Sequence, residues 1–188
     1  MELEKCILER RSIRNYQDKP LTKEQINTIL ESGRLAPSAH NDQPWKFYIL
    51  RGEVKKQVVK MMEEKINTCE EYKNALKTKE AICEADTLVL VWNKESNQDK
   101  MSIQSTRFHE QSIGAAMENM CLTATSLGIG SLWIGLIYII EEELKQYFHV
   151  TDMHLSCALT LGYATDLPNP RPRYSLDEIT KWYEGGIL

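Results

Sequence analysis

Three short polar segments, far apart in the 188-residue chain, carry side chains suited to binding chemistry. Arg10-Arg11-Ser12-Ile13-Arg14 and Pro170-Arg171-Pro172-Arg173 concentrate guanidinium groups, whose forked donors match the oxygens of a phosphate monoester dianion. Pro172 restricts the backbone between Arg171 and Arg173 and so favours a defined projection of both side chains. The third segment, Pro37-Ser38-Ala39-His40-Asn41-Asp42-Gln43-Pro44-Trp45, is of another kind. Pro37, Ser38 and Ala39 form a small, turn-prone surface, and Asn41 and Gln43 add amide donors and acceptors, a set that suits one face and the polar edge of a flat heteroaromatic ring.

Each segment also has a plain reading: a solvated basic patch, or a polar loop before a strand. The clustering of arginines is nevertheless a local exception in an acidic chain, with 23 Lys and Arg against 27 Asp and Glu, a formal net charge of −4 and a pI near 5.7. That balance argues against general nucleic-acid binding, which needs a net basic surface. No Ser-His-Asp ordering, paired catalytic carboxylates or phosphate-cradling Gly-rich loop stands out, so no side chain is assigned a catalytic role. The absence of Gly-x-Gly-x-x-Gly after a strand argues against a Rossmann fold.

Five cysteines, Cys6, Cys69, Cys83, Cys121 and Cys157, are odd in number and widely spaced, with no Cys-x-x-Cys pair. They read as reduced cytosolic thiols and give no metal site. His149 and His154 lack a nearby thiol or acidic partner in sequence and read as surface residues. The charged start of the chain carries no secretory signal, and no stretch is long and apolar enough to span a membrane. The expected location is cytoplasmic.

The elements that must position these groups follow from periodicity. Met1 to Arg11, with Leu3, Ile7 and Leu8 among charges, suits a short amphipathic helix that delivers its last turn to the arginines. Thr22-x-x-Gln25 has capping-box spacing and opens a helix with Ile26, Ile29 and Leu30 on its apolar face; Pro37 ends any continuation. Trp45 to Leu50, Thr87 to Trp92 and Cys157 to Leu161 read as strands, with charged helices over 53–62 and 70–84. Residues 93–107 read as a loop or a loosely packed helix, a candidate lid around 93–108. Apolar residues recur every three or four positions from Gln111 to Leu127, and Gly128 caps this central helix. Its Gly114-Ala115-Ala116 run suits close packing, in the core or at a subunit interface. A further helix spans about Glu141 to Phe148. Ser175-x-x-Glu178 opens a tail helix whose face of Leu176, Ile179, Trp182 and Tyr183 needs a surface to cover, its own subunit or a neighbour. Residues 1–188 read as a single domain of α+β layered architecture.

In this order, with Leu-Gly-Ile-Gly-Ser-Leu-Trp-Ile-Gly at 127–135 between them, the three segments resemble the nitroreductase family of flavoenzymes over nearly the whole chain. The Gly128 to Gly135 stretch alone is equally readable as a helix cap followed by a short buried strand. The resemblance implies an α/β/α sandwich around a central, mostly antiparallel sheet, and a homodimer with two flavin mononucleotide (FMN) sites shared across its interface. It places Arg10, Ser12, Arg171 and Arg173 on the FMN phosphate and Arg14 near the ribityl chain or pyrimidine edge, with Arg11 close by. It brings Pro37, Ser38, Ala39, Asn41 and Gln43 from the neighbouring subunit along the flavin, and sets the backbone amides of Ile134 and Gly135 before the reactive edge of the ring. The implied activity is ping-pong electron transfer from NADH or NADPH to a small electron acceptor such as a nitroaromatic or quinone. Relatives of this fold that dehalogenate, dehydrogenate or fragment flavin, and a flavin binder without turnover, are the alternatives. Two departures are visible: Ser112 stands where related sequences often carry Asp, and Lys77, Thr78 and Lys79 are uncertain matches for the family's polar residues between the first two strands.

Overall fold

The computed structural model describes residues 2–94 and 103–184, without the side chains of 103–105. Most of the candidate lid, at 95–102, lies outside the described residues. Four strands, β1 (Trp45–Leu50), β2 (Thr87–Lys94), β3 (Gly130–Ile134) and β4 (Met153–Gly162), form one sheet in the order β1-β2-β4-β3. All three pairings are antiparallel. The Gly128 to Gly135 stretch thus supplies a strand as well as a helix cap.

The alternation along β2 explains the layering. Leu88, Leu90 and Trp92 face one side, while Val89 and Val91 face the other, and all are fully buried. On the first side lie α3 (Gly52–Thr68), α4 (Leu76–Glu84) and α6 (Glu141–Phe148), through Val58, Met62, Ile82 and Leu144. On the second lie α2 (Lys23–Arg34) and α5 (Ile103–Ser126), through Ile26, Ile29, Ile113, Met117 and Met120. The outcome is the α/β/α arrangement expected of an α+β chain.

Local signals account for the element ends. The Thr22–Gln25 capping box forms in full, and Gly128 takes the left-handed conformation (φ +70°) that ends α5. The tight crossing of α2 and α5 depends on Gly33 rather than Gly114. A Cβ at Gly33 would stand 2.9 Å from Met120 Cγ, whereas one at Gly114 would make an ordinary 3.7 Å contact with Trp133.

Two expectations need correction. Residues 70–84 split into a 3₁₀ segment, Glu70–Ala75, and α4. The tail forms only a single turn, α7 (Leu176–Ile179), so Trp182 and Tyr183 lie beyond it, and Leu176, Ile179, Trp182 and Tyr183 are all exposed. Helix α1 (Leu3–Glu9) forms as expected, but it buries Cys6 and leaves Leu3, Ile7 and Leu8 exposed. The apolar periodicity of α1 is real, but the described residues leave it uncovered.

Candidate functional site

Helix α1 ends at Glu9, where the Arg10 N–H donates to the Cys6 carbonyl at 2.9 Å, and the chain then runs extended across the open edge of β3. There Ser12 forms a parallel bridge to Ser131, and the Ile13 N–H donates to the Ser131 carbonyl at 2.9 Å. Ile13 and Tyr16 are buried and anchor the segment. The Tyr16 hydroxyl lies 2.9 Å from the Ile13 carbonyl and 2.7 Å from Thr160 Oγ1, and burial pushes this phenol well above its ordinary range.

The chain that leaves β4 runs alongside this segment. Tyr16 bridges Ala164, the Gln17 N–H donates to the Tyr163 carbonyl at 2.8 Å, and Asn15 Nδ2 donates to Asp166 at 3.2 Å. Residues 168–173 are thereby carried back to the end of α1. Arg10, Arg11, Ser12, Arg14, Arg171 and Arg173 consequently line one cleft of about 610 Å³, with Ile7, Leu8 and Pro168 to Pro170 completing its wall.

The arginines differ in how far they are already engaged. Arg10 Nε stands 3.5 Å from Glu118 on α5. Arg11 Nη1 donates to the carbonyls of Leu8 (2.7 Å) and Arg10 (2.8 Å), capping α1, while its buried Nε has no partner. Arg14 donates to the Ser12 carbonyl at 3.3 Å. Arg171 and Arg173 are exposed and make no hydrogen bond or ion pair among the described residues. Five guanidinium groups facing one cleft, four of them lightly held or unengaged, are chemically suited to an anion with several oxygens.

The Pro37 to Gln43 loop lies elsewhere and is built differently; none of its residues lines that cleft. His40 (φ 53°), Asn41 (φ 59°) and Gln43 (φ 46°) all adopt left-handed backbone conformations that cost non-glycine residues about 1 kcal/mol or more each. The loop is held against that strain. Ser38 Oγ accepts from the Gln43 N–H (3.1 Å), the Ser38 and Ala39 carbonyls accept from Asn41 and Asp42 (both 3.0 Å), and Lys94 Nζ reaches the Gln43 carbonyl at 3.3 Å. The Ala39 N–H donates to Ser112 Oγ at 3.2 Å. Ser112 lies well inside α5 rather than before it, and it ties the loop to that helix.

Ile134 closes β3, buried and paired with Ala158. Gly135 follows at φ −79°, and a Cβ there would meet nothing within 4 Å. Neither backbone conformation nor packing within the chain requires glycine at this position. The start of the same stretch, Gly128 to Ser131, lines a smaller cleft of about 400 Å³ next to the first, with Arg11 common to both. Lys77, Thr78 and Lys79 line neither; Lys79 pairs with Glu63 at 3.1 Å.

One polar cluster was missed by sequence reasoning. Glu110 Oε1 accepts from Ser156 Oγ (2.6 Å) and Asn93 Nδ2 (2.9 Å) and lies 3.0 Å from His154 Nε2. Burial pushes this carboxyl up, but the bonds from His154, Ser156 and Asn93 outweigh it and hold it down at about 2. His154 therefore has an acidic partner after all, supplied from α5. The partners sit 44 positions apart in sequence; β2–β4 pairing sets Asn93 beside His154, and the packing of α5 on the sheet brings Glu110 to both. Buried His109 joins the cluster through Asn93.

The remaining titratable groups do not form a second site. Among the described residues no group of His, Cys, Asp and Glu is placed to hold a metal ion, and no helix is long and apolar enough to cross a membrane. None of the five cysteines forms a disulfide, and burial pushes the Cys157 thiol up to about 12 and that of Cys121 to about 11, which leaves both inert.

Comparison with known proteins adds an independent line. Residues 7–163 match the Nitroreductase family. A protein of Archaeoglobus fulgidus provisionally named NADH dehydrogenase/NAD(P)H nitroreductase is 37% identical over 166 residues, covering 86% of this chain and 85% of its own. A protein of Methanothermobacter thermautotrophicus with the same provisional name is 30% identical over 188 residues, covering 97% and 88%. Among solved structures, a provisionally named nitroreductase of Desulfovibrio desulfuricans in complex with FMN superposes with a TM-score of 0.79 at 23% identity, over 99% of each chain.

Proposed function

Because the chain belongs to the nitroreductase family, we propose that it is an FMN-dependent oxidoreductase, taking electrons from NADH or NADPH and delivering them to a nitroaromatic, a quinone or a similar electron-poor small molecule. The observation that carries this reading is the convergence of Arg10, Arg11, Ser12, Arg14, Arg171 and Arg173 on one cleft in a chain of net negative charge. The FMN named in the Desulfovibrio structure and the NAD(P)H in the names of the two archaeal relatives agree with it.

The residues fit such a group. Arg10, Ser12, Arg171 and Arg173 hold the phosphate through charge-assisted bonds, and the unpartnered Nε of Arg11 leaves one donor to be satisfied there. Arg14 approaches the ribityl chain or pyrimidine edge, where a cation stabilises the negative charge that reduction brings. Ile134 and Gly135 offer backbone at the ring's reactive edge, and the open space at Gly135 leaves room for close approach. Pro37, Ser38, Ala39, Asn41 and Gln43 come from the second subunit of a homodimer, in keeping with a strained loop that lines neither cleft of its own chain. FMN, when bound, supplies two-electron redox chemistry. Donor and acceptor share one face in turn, which gives ping-pong kinetics and leaves no side chain with a dedicated proton-transfer role.

In this reading residues 1–188 act as one FMN-binding unit, and five cysteines outside any disulfide favour a reducing, cytoplasmic setting. The test is direct. Purified protein should be yellow, release one FMN per subunit on chromatography, and oxidise NADH or NADPH rapidly once a nitroaromatic or quinone is added. Release of FAD, or no flavin even after reconstitution, would contradict the cofactor. Bound FMN without turnover would leave a flavin binder.

A further inference from the structure

The strained loop is attached to α5 at a second point besides Ser112, and that point leads into the polar cluster. Asp42 Oδ2 lies 3.5 Å from His109 Nε2. His109 is 4% exposed, and its Nδ1 lies 3.1 Å from Asn93 Oδ1.

The donors in this chain can be ordered from one end. Glu110 is an ionised carboxylate and only accepts, so Asn93 turns its amide nitrogen toward it at 2.9 Å. The Asn93 oxygen then faces His109, whose Nδ1 must carry the proton between them. That bond fixes the ring plane and turns Nε2 toward Asp42 Oδ2, where a second proton on Nε2 makes the contact attractive, both ring nitrogens then donating to acceptors. Asn93 is itself locked: it is fully buried at the end of β2, opposite His154 on β4. The sheet thus sets Asn93, Asn93 sets the imidazole, and the imidazole sets Asp42. Asp42 is the one right-handed residue (φ −68°, ψ −23°) between the left-handed Asn41 and Gln43.

We infer that His109 is a positioning residue for the flavin site, holding Asp42 so that Asn41 and Gln43 keep the backbone conformations in which they meet the ring. This rests on the FMN reading above and deepens it: affinity for the ring is set by the sheet end of the molecule, affinity for the phosphate by the arginine cleft. His109 touches neither ligand nor reacting atoms in this assignment. Its partner Asp42, half-exposed on the loop, is the handle through which it acts.

The experiment measures dissociation constants of FMN and riboflavin, by flavin fluorescence, for the wild-type homodimer, His109→Ala, Asp42→Ala and the double variant. Loss of loop positioning should weaken both flavins by roughly tenfold in His109→Ala, leaving the ratio of the two constants as in wild type. The double variant should be no weaker than His109→Ala, since both changes cut the same link. A purely structural role for His109 would instead lower the thermal midpoint with flavin affinities unchanged, or add to the effect of Asp42→Ala, and either result overturns the inference. Should His109→Ala not fold, Asp42→Ala decides: an equal loss for both flavins supports the link, and unchanged affinities overturn it. Wild-type protein that binds neither flavin overturns the FMN reading itself, and this inference with it, a result distinct from normal wild-type binding with unaffected variants.

Discussion

The arginine cleft and the Pro37 to Gln43 loop use opposite physical strategies. In the cleft, charge is abundant and geometry is loose: Arg171 and Arg173 are exposed and unengaged among the described residues, and Arg10 leans on Glu118 at 3.5 Å. In the loop, formal charge is scarce but geometry is tight, with three left-handed non-glycine residues held by Ser38, Lys94, Ser112 and Asp42 contacts. A dianion tolerates several arrangements of flexible cations, because Coulomb attraction varies slowly with angle. Hydrogen bonds along a flat ring do not, because their strength falls steeply with misalignment. Under the proposed function, the difference gives affinity for the phosphate to one region and orientation of the ring to the other.

The largest effects should break this division at the cleft. Arg173→Ala or Arg10→Ala removes a charge-assisted bond worth about 1.5 to 3 kcal/mol, so FMN affinity should fall roughly ten- to hundredfold. Riboflavin, which lacks the phosphate, should bind nearly as before. Titration of both flavins checks this, and equal losses would reduce the arginines to supports of the fold. Next comes Gly135→Ala. A Cβ there meets nothing in the chain, so the thermal midpoint should hold, while crowding of the ring by about 1 to 3 kcal/mol lowers affinity for both flavins. A fall in thermal midpoint with unchanged affinity would remove Gly135 from the site.

Much of this fold is legible in sequence because its signals are local. β2 alternates residue by residue, Thr22 and Gln25 stand three apart, and Gly128 follows the last apolar turn of α5. The segments of the candidate site are legible as residue types. Their grouping is not: Arg10 and Arg173 meet only because Tyr16 bridges Ala164, a tertiary pairing that leaves no periodicity. Asn93, His109 and Glu110 escaped notice for the same reason, and His154 reads as a surface residue in sequence because its partner Glu110 is 44 positions away. The exposed Leu3, Ile7 and Leu8 of α1 and Leu176 and Ile179 of α7 show the converse, apolar patterns that the described residues leave uncovered. In the proposed homodimer a second subunit would cover them.

Smaller effects sharpen the loop side. Ser112→Ala leaves the Ala39 N–H without its acceptor and costs about 1 kcal/mol. Both flavins should weaken about fivefold and equally, as equilibrium titration would reveal; an effect on FMN alone would move Ser112 to the phosphate side. Glu110→Gln concerns stability. The folded state holds this carboxyl at about 2 against an ordinary 4.5, so its contribution is complete above pH 4.5 and disappears as pH falls toward 2. Because the side chain is 43% exposed, solvent screening limits that contribution to about 1 kcal/mol. Denaturant melts of wild type and Glu110→Gln should differ at pH 7 and converge near pH 2; a gap that stays constant down to pH 2 would show that ionisation of Glu110 is not its source.

The central claim is that the cleft of one subunit and the loop of the other serve one flavin. Mixing Arg173→Ala subunits with Asn41→Ala subunits tests it most directly. Each homodimer has two defective sites, but a heterodimer combines both defects in one site and leaves the other intact. Exchange of subunits should therefore restore FMN binding and NAD(P)H-driven turnover, up to one site per heterodimer. No recovery after demonstrated subunit exchange, or a stable monomer with full FMN affinity and turnover, would contradict it.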